Sequence, residues 1–360
     1  MKTDVHFHVI GNGTDLSNID NDVYVYADDN HHWFTRILYN MLEEDIKKQG
    51  ADFNHDGKIS TDEYFKLIYR LFASSEEIDS IVLLGLDAVF STETGEIDEV
   101  KTDVYVSNKF LNKKVIELNE RLMEESDPEI RNKRFFFGAS VSPNREDWES
   151  ELEYVLNQTK AVLIKWIPST QHIHVMDEKH KEFYEALSSN NMPLLCHVGP
   201  EYSFPEGIRQ GKLDNFRYLE KPLEHGVRVI AAHCATPVFP IIDKNEVDEF
   251  YALMKDANGD GKVRLWADTS ALSLSTRISL IPKIIKTFPP DWLIHGSDFP
   301  IPIDGWPHLP WVTSDMTPEE YIRILKTKNP LDKDVRIKRA HGFADAIIEN
   351  AEKVLRFPAS

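Results

Sequence analysis

The sequence predicts a closed (β/α)8 barrel, on three observations. Eight short apolar runs recur along the 360 residues, and helical patterns separate most of them. Polar residues cluster at the carboxyl ends of those runs, where the loops of such a barrel converge. A barrel of this class commonly needs roughly 250 residues or more, so one domain over 1–360 with insertions accounts for the length. An apolar content of 41% and a charged content of 28% supply a core and lie far from disordered compositions. A six- or seven-stranded open sheet is the alternative arrangement of the same runs.

The strand candidates are 3–8, 79–86, 134–141, 161–167, 193–198, 227–234, 263–269 and 292–297. Near-continuous apolar stretches such as AVLI, PLLC and RVIAA suit parallel strands covered on both faces. Helical patterns fall at 108–125, 148–158, 177–189, 215–226 and 246–256. In the first strand, DVHFHVIG sets His6 and His8 two positions apart, hence on one face, where they can grip a single ion. Lys165 lies in AVLIKWIPS, His197 in PLLCHVG, His233 in RVIAAHCAT and Asp298 in WLIHGSDFP. A scatter of fourteen histidines would not place these residues on strands one, five and six, with a lysine on strand four and an aspartate after strand eight. That is a metal-site layout at the catalytic end of a barrel. His31, His32, His172, His174 and His295 are given no ligand role, while Trp33, Trp166, Glu201, Tyr202 and Trp306 are candidates for the pocket wall.

With 41 basic against 60 acidic residues, the formal net charge of −19 repels nucleic acid and anionic membranes, so neither is expected as a partner. Cys196 and Cys234 each adjoin a candidate ligand histidine and read as buried free thiols. No apolar run is long enough to span a bilayer. The first strand begins almost at Met1, which leaves no room for a signal peptide, and a cytoplasmic location is expected. A small-molecule substrate is the expected partner, and a homo-oligomer is left open.

On these motifs the chain resembles the amidohydrolase superfamily, in the branch that includes carboxymuconate-semialdehyde decarboxylase-like enzymes. The resemblance runs from TDVHFHVIG to the closing IIENAEKVLRF. It implies that His6 and His8 bind the more buried metal with Asp298. It also implies that Lys165, carboxylated by carbon dioxide, bridges two ions, and that His197 and His233 hold the second. The chemistry is consistent: an ammonium would be repelled by the ions, whereas a carbamate is an anionic oxygen donor. Zinc suits the ligand set, with manganese, iron or cobalt as substitutes. With two ions, an activated hydroxide attacks a carbonyl or phosphoryl centre and Asp298 shuttles the proton. With one ion, His233 is free to act as base or proton donor, and a decarboxylase or lactonase results.

A second motif, DFNHDGKISTDE at 52–63, satisfies an EF-hand loop. Asp52, Asn54 and Asp56 supply side-chain oxygens to Ca2+, Lys58 a carbonyl, Ser60 a water-bridged contact and Glu63 a bidentate carboxylate. Helical spacing on both sides, from Trp33 to Ile46 and from Tyr64 to Phe72, completes a helix, loop, helix insertion over 31–73. A similar run at 256–267, DANGDGKVRLWA, lacks the twelfth-position carboxylate and reads as an Asx and glycine turn feeding strand seven. The EF-hand motif sustains a different class of reading, a non-catalytic calcium-binding protein on a barrel scaffold.

Overall fold

The computed structural model describes residues 1–26, 60–204, 210–301 and 317–358. Eight parallel strands form one sheet: β1 (Thr3–His8), β3 (Ser80–Leu84), β5 (Arg134–Ala139), β6 (Ala161–Trp166), β7 (Leu194–Cys196), β8 (Val229–Ala231), β9 (Leu265–Asp268) and β10 (Leu293–Ile294). Two further strands, β2 (Tyr24–Val25) and β4 (Val104–Tyr105), pair antiparallel outside it. The sheet closes between its first and last members. Val5 N donates to His295 O at 3.1 Å, His8 N to Phe299 O at 2.8 Å and Asp298 N to His6 O at 2.9 Å, with a parallel bridge between Phe7 and Phe299. The fold is the (β/α)8 barrel that the sequence predicts.

All eight predicted strands are present, and their ends carry the differences. β8 stops at Ala231 because His233, Cys234 and Ala235 turn into the left-handed region, with φ of 57°, 52° and 51°. β10 is two residues long, after which Asp298 adopts φ 67°. Left-handed backbone is costly for residues with a Cβ and gathers at sites where the surroundings hold it in place. Here it turns the strand ends outward and brings their polar side chains over the barrel mouth.

The period of two along each strand builds the interior. Leu163, Leu195 and Trp266 stand on the same faces as Lys165, His197 and Asp268, two residues further on. These apolar residues pack with Val5, Val82, Leu84, Ile230 and Ile294 into a buried cluster. It forms a floor beneath the polar layer. The opposite faces, among them Phe7, Phe135, Phe137, Leu194 and Val229, join a larger core with the helices.

Helix Asn108–Met123 contributes Phe110, Leu111, Val115, Leu118 and Leu122 to that core, and its first turn is capped by Ser107, which accepts from Phe110 N. Helix Trp148–Gln158 matches its predicted span. The predicted 177–189 and 215–226 segments each open with a 3-10 turn, at Glu178–His180 and Phe216–Leu219, before continuing as α-helix. No helix among the described residues is long and apolar enough to cross a membrane.

Of the calcium motif, Asp52, Asn54, Asp56 and Lys58 lie outside the described residues. Ser60 and Glu63 are described. They form a capping box at the start of helix Thr61–Ala73, with Glu63 Oε2 accepting from Ser60 N at 2.9 Å and from Ser60 Oγ at 2.6 Å. That helix buries Tyr64, Phe65, Ile68, Leu71 and Phe72, the residues whose spacing predicted it. The 256–267 run forms the predicted turn: Asn258 Oδ1 accepts from Arg264 N and Leu265 N, and Asp260 is paired with Arg264 at 2.6 Å.

One glycine is required where the barrel closes. A Cβ on Gly296 would stand 2.7 Å from His6 Cβ and 3.2 Å from Ser270 Cβ, both rigidly held. Gly296→Ala is therefore expected to lower stability by about 1–3 kcal/mol through overpacking. Urea unfolding checks this, and an unchanged midpoint would show that the closure has slack.

Candidate metal centre

The six residues singled out by sequence come from five strands and converge at one end of the barrel. His6 and His8 project from β1, Lys165 from β6, His197 follows β7, His233 follows β8, and Asp298 follows β10. All but His8 are buried; His8 is partly open at the mouth. His6 Nε2 lies 3.0 Å from His8 Nε2, 3.3 Å from Asp298 Oδ1 and 2.9 Å from Lys165 Nζ. His8 Nε2 is also 3.3 Å from Asp298 Oδ1. A second pair stands beside this group, with His233 Nε2 at 3.2 Å from His197 Nδ1.

Sequence reasoning missed the residue that orients these rings. Asp268 is fully buried, and its Oδ2 accepts from His6 Nδ1 at 2.7 Å. Its Oδ1 accepts from the His233 backbone N at 2.8 Å, from Ser270 N at 3.1 Å and from the Ser270 hydroxyl. Ser270 Oγ in turn lies 3.0 Å from His6 Nδ1 and 2.8 Å from His233 Nδ1. With Nδ1 of His6 acting as donor to a carboxylate, its Nε2 carries the lone pair and faces the cluster. Outer carboxylates commonly fix the tautomer of metal-binding histidines in this way.

The protonation states suit a cation. Burial pushes the His8, His197 and His233 imidazoles down, His197 to about 4, so they are neutral at physiological pH. Burial alone would raise the Asp298 carboxyl, but its electrostatic interactions with His233 and His6 and the hydrogen bond from His8 outweigh it and hold it well below the usual range. Lys165 is fully buried, and desolvation lowers its amine despite the nearby Asp268 and Asp298.

The donor set passes a test of fit. Tetrahedral zinc with metal to nitrogen bonds near 2.0–2.1 Å separates its ligand atoms by about 3.3 Å. The His6, His8 and Asp298 donor atoms stand 3.0–3.3 Å apart. Nε2 of His197 is buried with no partner among the described residues, a further nitrogen left over for a bound group.

A cavity opens in front of the cluster, walled by His8, His197, Glu201, His233 and Asp298 on one side and by Leu84, Leu86, Ile167, Phe204 and Ile301 on the other. Glu201 thus joins the pocket, its Oε2 at 3.5 Å from His197 Nδ1. Trp166 does not. It is fully buried in the outer core, donating Nε1 to Val141 O at 2.8 Å. Tyr202 bonds Asp243 at 2.6 Å instead of lining the cavity. Trp33 and Trp306 lie outside the described residues. Cys196 and Cys234 are free and buried, as expected, and burial pushes both thiols up.

A family model described as amidohydrolase matches residues 99–357. No curated protein sequence matches the chain significantly. Among solved structures, an uncharacterised TIM-barrel protein from Bordetella bronchiseptica aligns over 97% of this chain and 99% of its own, with 12% identity and a TM-score of 0.53. A probable 2-pyrone-4,6-dicarboxylic acid hydrolase from Acinetobacter baumannii aligns over 98% and 99%, with 14% identity and a TM-score of 0.45. The 5-carboxyvanillate decarboxylase from Novosphingobium aromaticivorans, complexed with manganese and 4-hydroxy-3-methoxy-5-nitrobenzoic acid, aligns over 98% and 95%, with 11% identity and a TM-score of 0.48. At 12% identity the likeness to the Bordetella bronchiseptica barrel is one of fold.

Asp268 offers a direct check of the geometry. Asp268→Asn keeps the volume but removes the charge-assisted bond to His6, and zinc affinity is expected to fall about 10–100-fold. Competition with a chromogenic chelator measures it; unchanged affinity would show that the His6 ring is oriented without Asp268.

Proposed function

The chain belongs to the amidohydrolase family, and we propose that it is a metal-dependent hydrolase of small-molecule substrates. The observation that supports this best is the spacing of the His6, His8 and Asp298 donor atoms, which matches ligands of one divalent cation. These three would hold the first ion, and His197 and His233 a second, with carboxylated Lys165 between them. Zinc fits the ligands, with manganese, iron or cobalt as substitutes. When bound, such ions bring the pKa of a coordinated water toward neutrality and polarise a carbonyl or phosphoryl oxygen.

The chain's own residues carry the proton chemistry. Asp298 directs Oδ1 at His6 and His8, while Oδ2 lies 4.0 Å from His233 Nδ1 and faces away from that pair. It is the group that accepts the water proton and returns it to the leaving group. Lys165 reacts as a neutral amine: its nitrogen forms a bond to the carbon of carbon dioxide and loses a proton to solvent, leaving an anionic carbamate. Burial favours the neutral amine that this step requires.

One observation favours a second reading. Among the described residues Lys165 Nζ bonds His6 alone, with no hydrogen bond to His197 or His233. An unmodified Lys165 beside a single ion leaves His233 as base or proton donor, the arrangement of a mononuclear decarboxylase or lactonase. The 52–63 loop is assigned to calcium on its sequence, with Asp52, Asn54, Asp56, Lys58, Ser60 and Glu63 as ligands.

Metal analysis of zinc-equilibrated protein separates the two chemistries. The hydrolase is expected to hold two zinc ions per chain and Lys165→Ala one. Asp298→Asn should lower kcat by about 10²–10⁴ on the best ester, lactone or amide in a substrate panel. A parent that saturates at one ion moves the assignment to the mononuclear reading, and a parent that binds none removes both.

A further inference from the structure

Glu201 stands on the loop after β7, beyond His197 and the left-handed turn at Gly199, where φ is 89°. It is only 8% exposed, and it lines the cavity beside His197 and His233. One of its oxygens is occupied: Oε1 accepts from Ser203 N at 2.5 Å. The other, Oε2, accepts no hydrogen bond from any described residue; His197 Nδ1 lies 3.5 Å away, beyond ordinary hydrogen-bond length. Burying a carboxylate oxygen without a donor is unfavourable, so such groups are ordinarily paired. Two cations stand in the neighbourhood. Lys212 borders an outer recess that Glu201 also borders, and Arg277 acts on Glu201 through space, but neither comes within ion-pairing distance of it.

The cavity itself is short of positive charge. Among the described residues its wall carries two carboxylates, Glu201 and Asp298, and no lysine or arginine. Asp298 is directed at His6 and His8, which leaves Glu201 as the acceptor open to a ligand. Phe204, three residues further along the same loop, adds an aromatic surface to the wall, and Leu84, Leu86 and Ile301 make it apolar. We propose that Glu201 is the subsite for an amino group on the substrate. An ammonium ion supplies the donor that Oε2 lacks, gains from the charge of the carboxylate, and is favoured beside an aromatic ring. The formal net charge of −19 draws such cations toward the protein. The inference rests on the metal-dependent reading for what happens to that substrate, but not for its binding. It names a substrate class, small amines with an apolar ring or chain.

Isothermal titration calorimetry at neutral pH with benzylamine, an ammonium ion there, and with benzyl alcohol, its neutral counterpart, tests this on zinc-loaded and on chelator-treated protein. The parent should bind benzylamine at least about tenfold more tightly than benzyl alcohol. Glu201→Gln, which keeps the shape but not the charge, should raise the benzylamine Kd to that of the alcohol and leave benzyl alcohol unchanged. Glu201→Asp, which keeps the charge but draws it back, should give an intermediate preference, and it decides the matter if the glutamine variant does not fold. No preference for the amine in the parent, an undiminished preference in the variants, or an equal loss for both ligands would each overturn the proposal. A parent that takes up no zinc yet shows the preference would overturn the metal reading and leave the subsite standing.

Discussion

The buried hydrogen bond from His6 Nδ1 to Asp268 Oδ2, at 2.7 Å, is the constraint on which the rest of the site depends. It joins the first barrel strand to the seventh across the interior, and it decides which nitrogen of His6 carries a proton. Only with that choice does His6 present a lone pair to His8, Lys165 and Asp298. The other oxygen of Asp268 holds the His233 backbone in its left-handed turn and engages Ser270, whose hydroxyl also contacts both histidines. Two imidazoles from opposite parts of the chain are thus oriented by one carboxylate and one hydroxyl. A group this buried, serving this many partners, leaves little freedom to the rings it holds.

The barrel supplies the conditions for that bond. Closure through Val5, His8 and Asp298 sets β1 and the segment after β10 in register, so that Asp298 Oδ1 reaches both His6 Nε2 and His8 Nε2. The apolar floor of Leu163, Leu195, Ile230 and Trp266 excludes water from below. The same desolvation disfavours the charged forms of His8, His197 and His233 and strengthens every charge interaction above it. Fold and site are therefore coupled through one polar layer resting on one apolar layer.

Much of this was legible in the sequence because parallel barrel strands, covered on both faces, read as short apolar runs, and a polar residue ending such a run is conspicuous. His6, His8, Lys165, His197, His233 and Asp298 all came from that signal, and all converge. Asp268 did not, although it ends the seventh run, WAD, in the same manner; applying the strand-end rule evenly would have found it. Ser270 was beyond reach, since a hydroxyl shared between two rings depends on loop geometry with no periodic signature. Trp166 misled for the opposite reason. It follows Lys165 directly, and a shift of one residue on a strand reverses the face, which sends its ring into the outer core. The predicted strands also run past the observed ends, because nothing in RVIAAHCAT signals that the backbone turns left-handed at His233.

Anomalous diffraction at the zinc edge, from crystals grown with excess zinc, probes the central claim most directly. The account predicts a peak bonded to His6 Nε2, His8 Nε2 and Asp298 Oδ1, with His6 Nδ1 still on Asp268. Zinc-replete crystals with no peak in that cluster, or with the ion elsewhere and His6 rotated away, would contradict it.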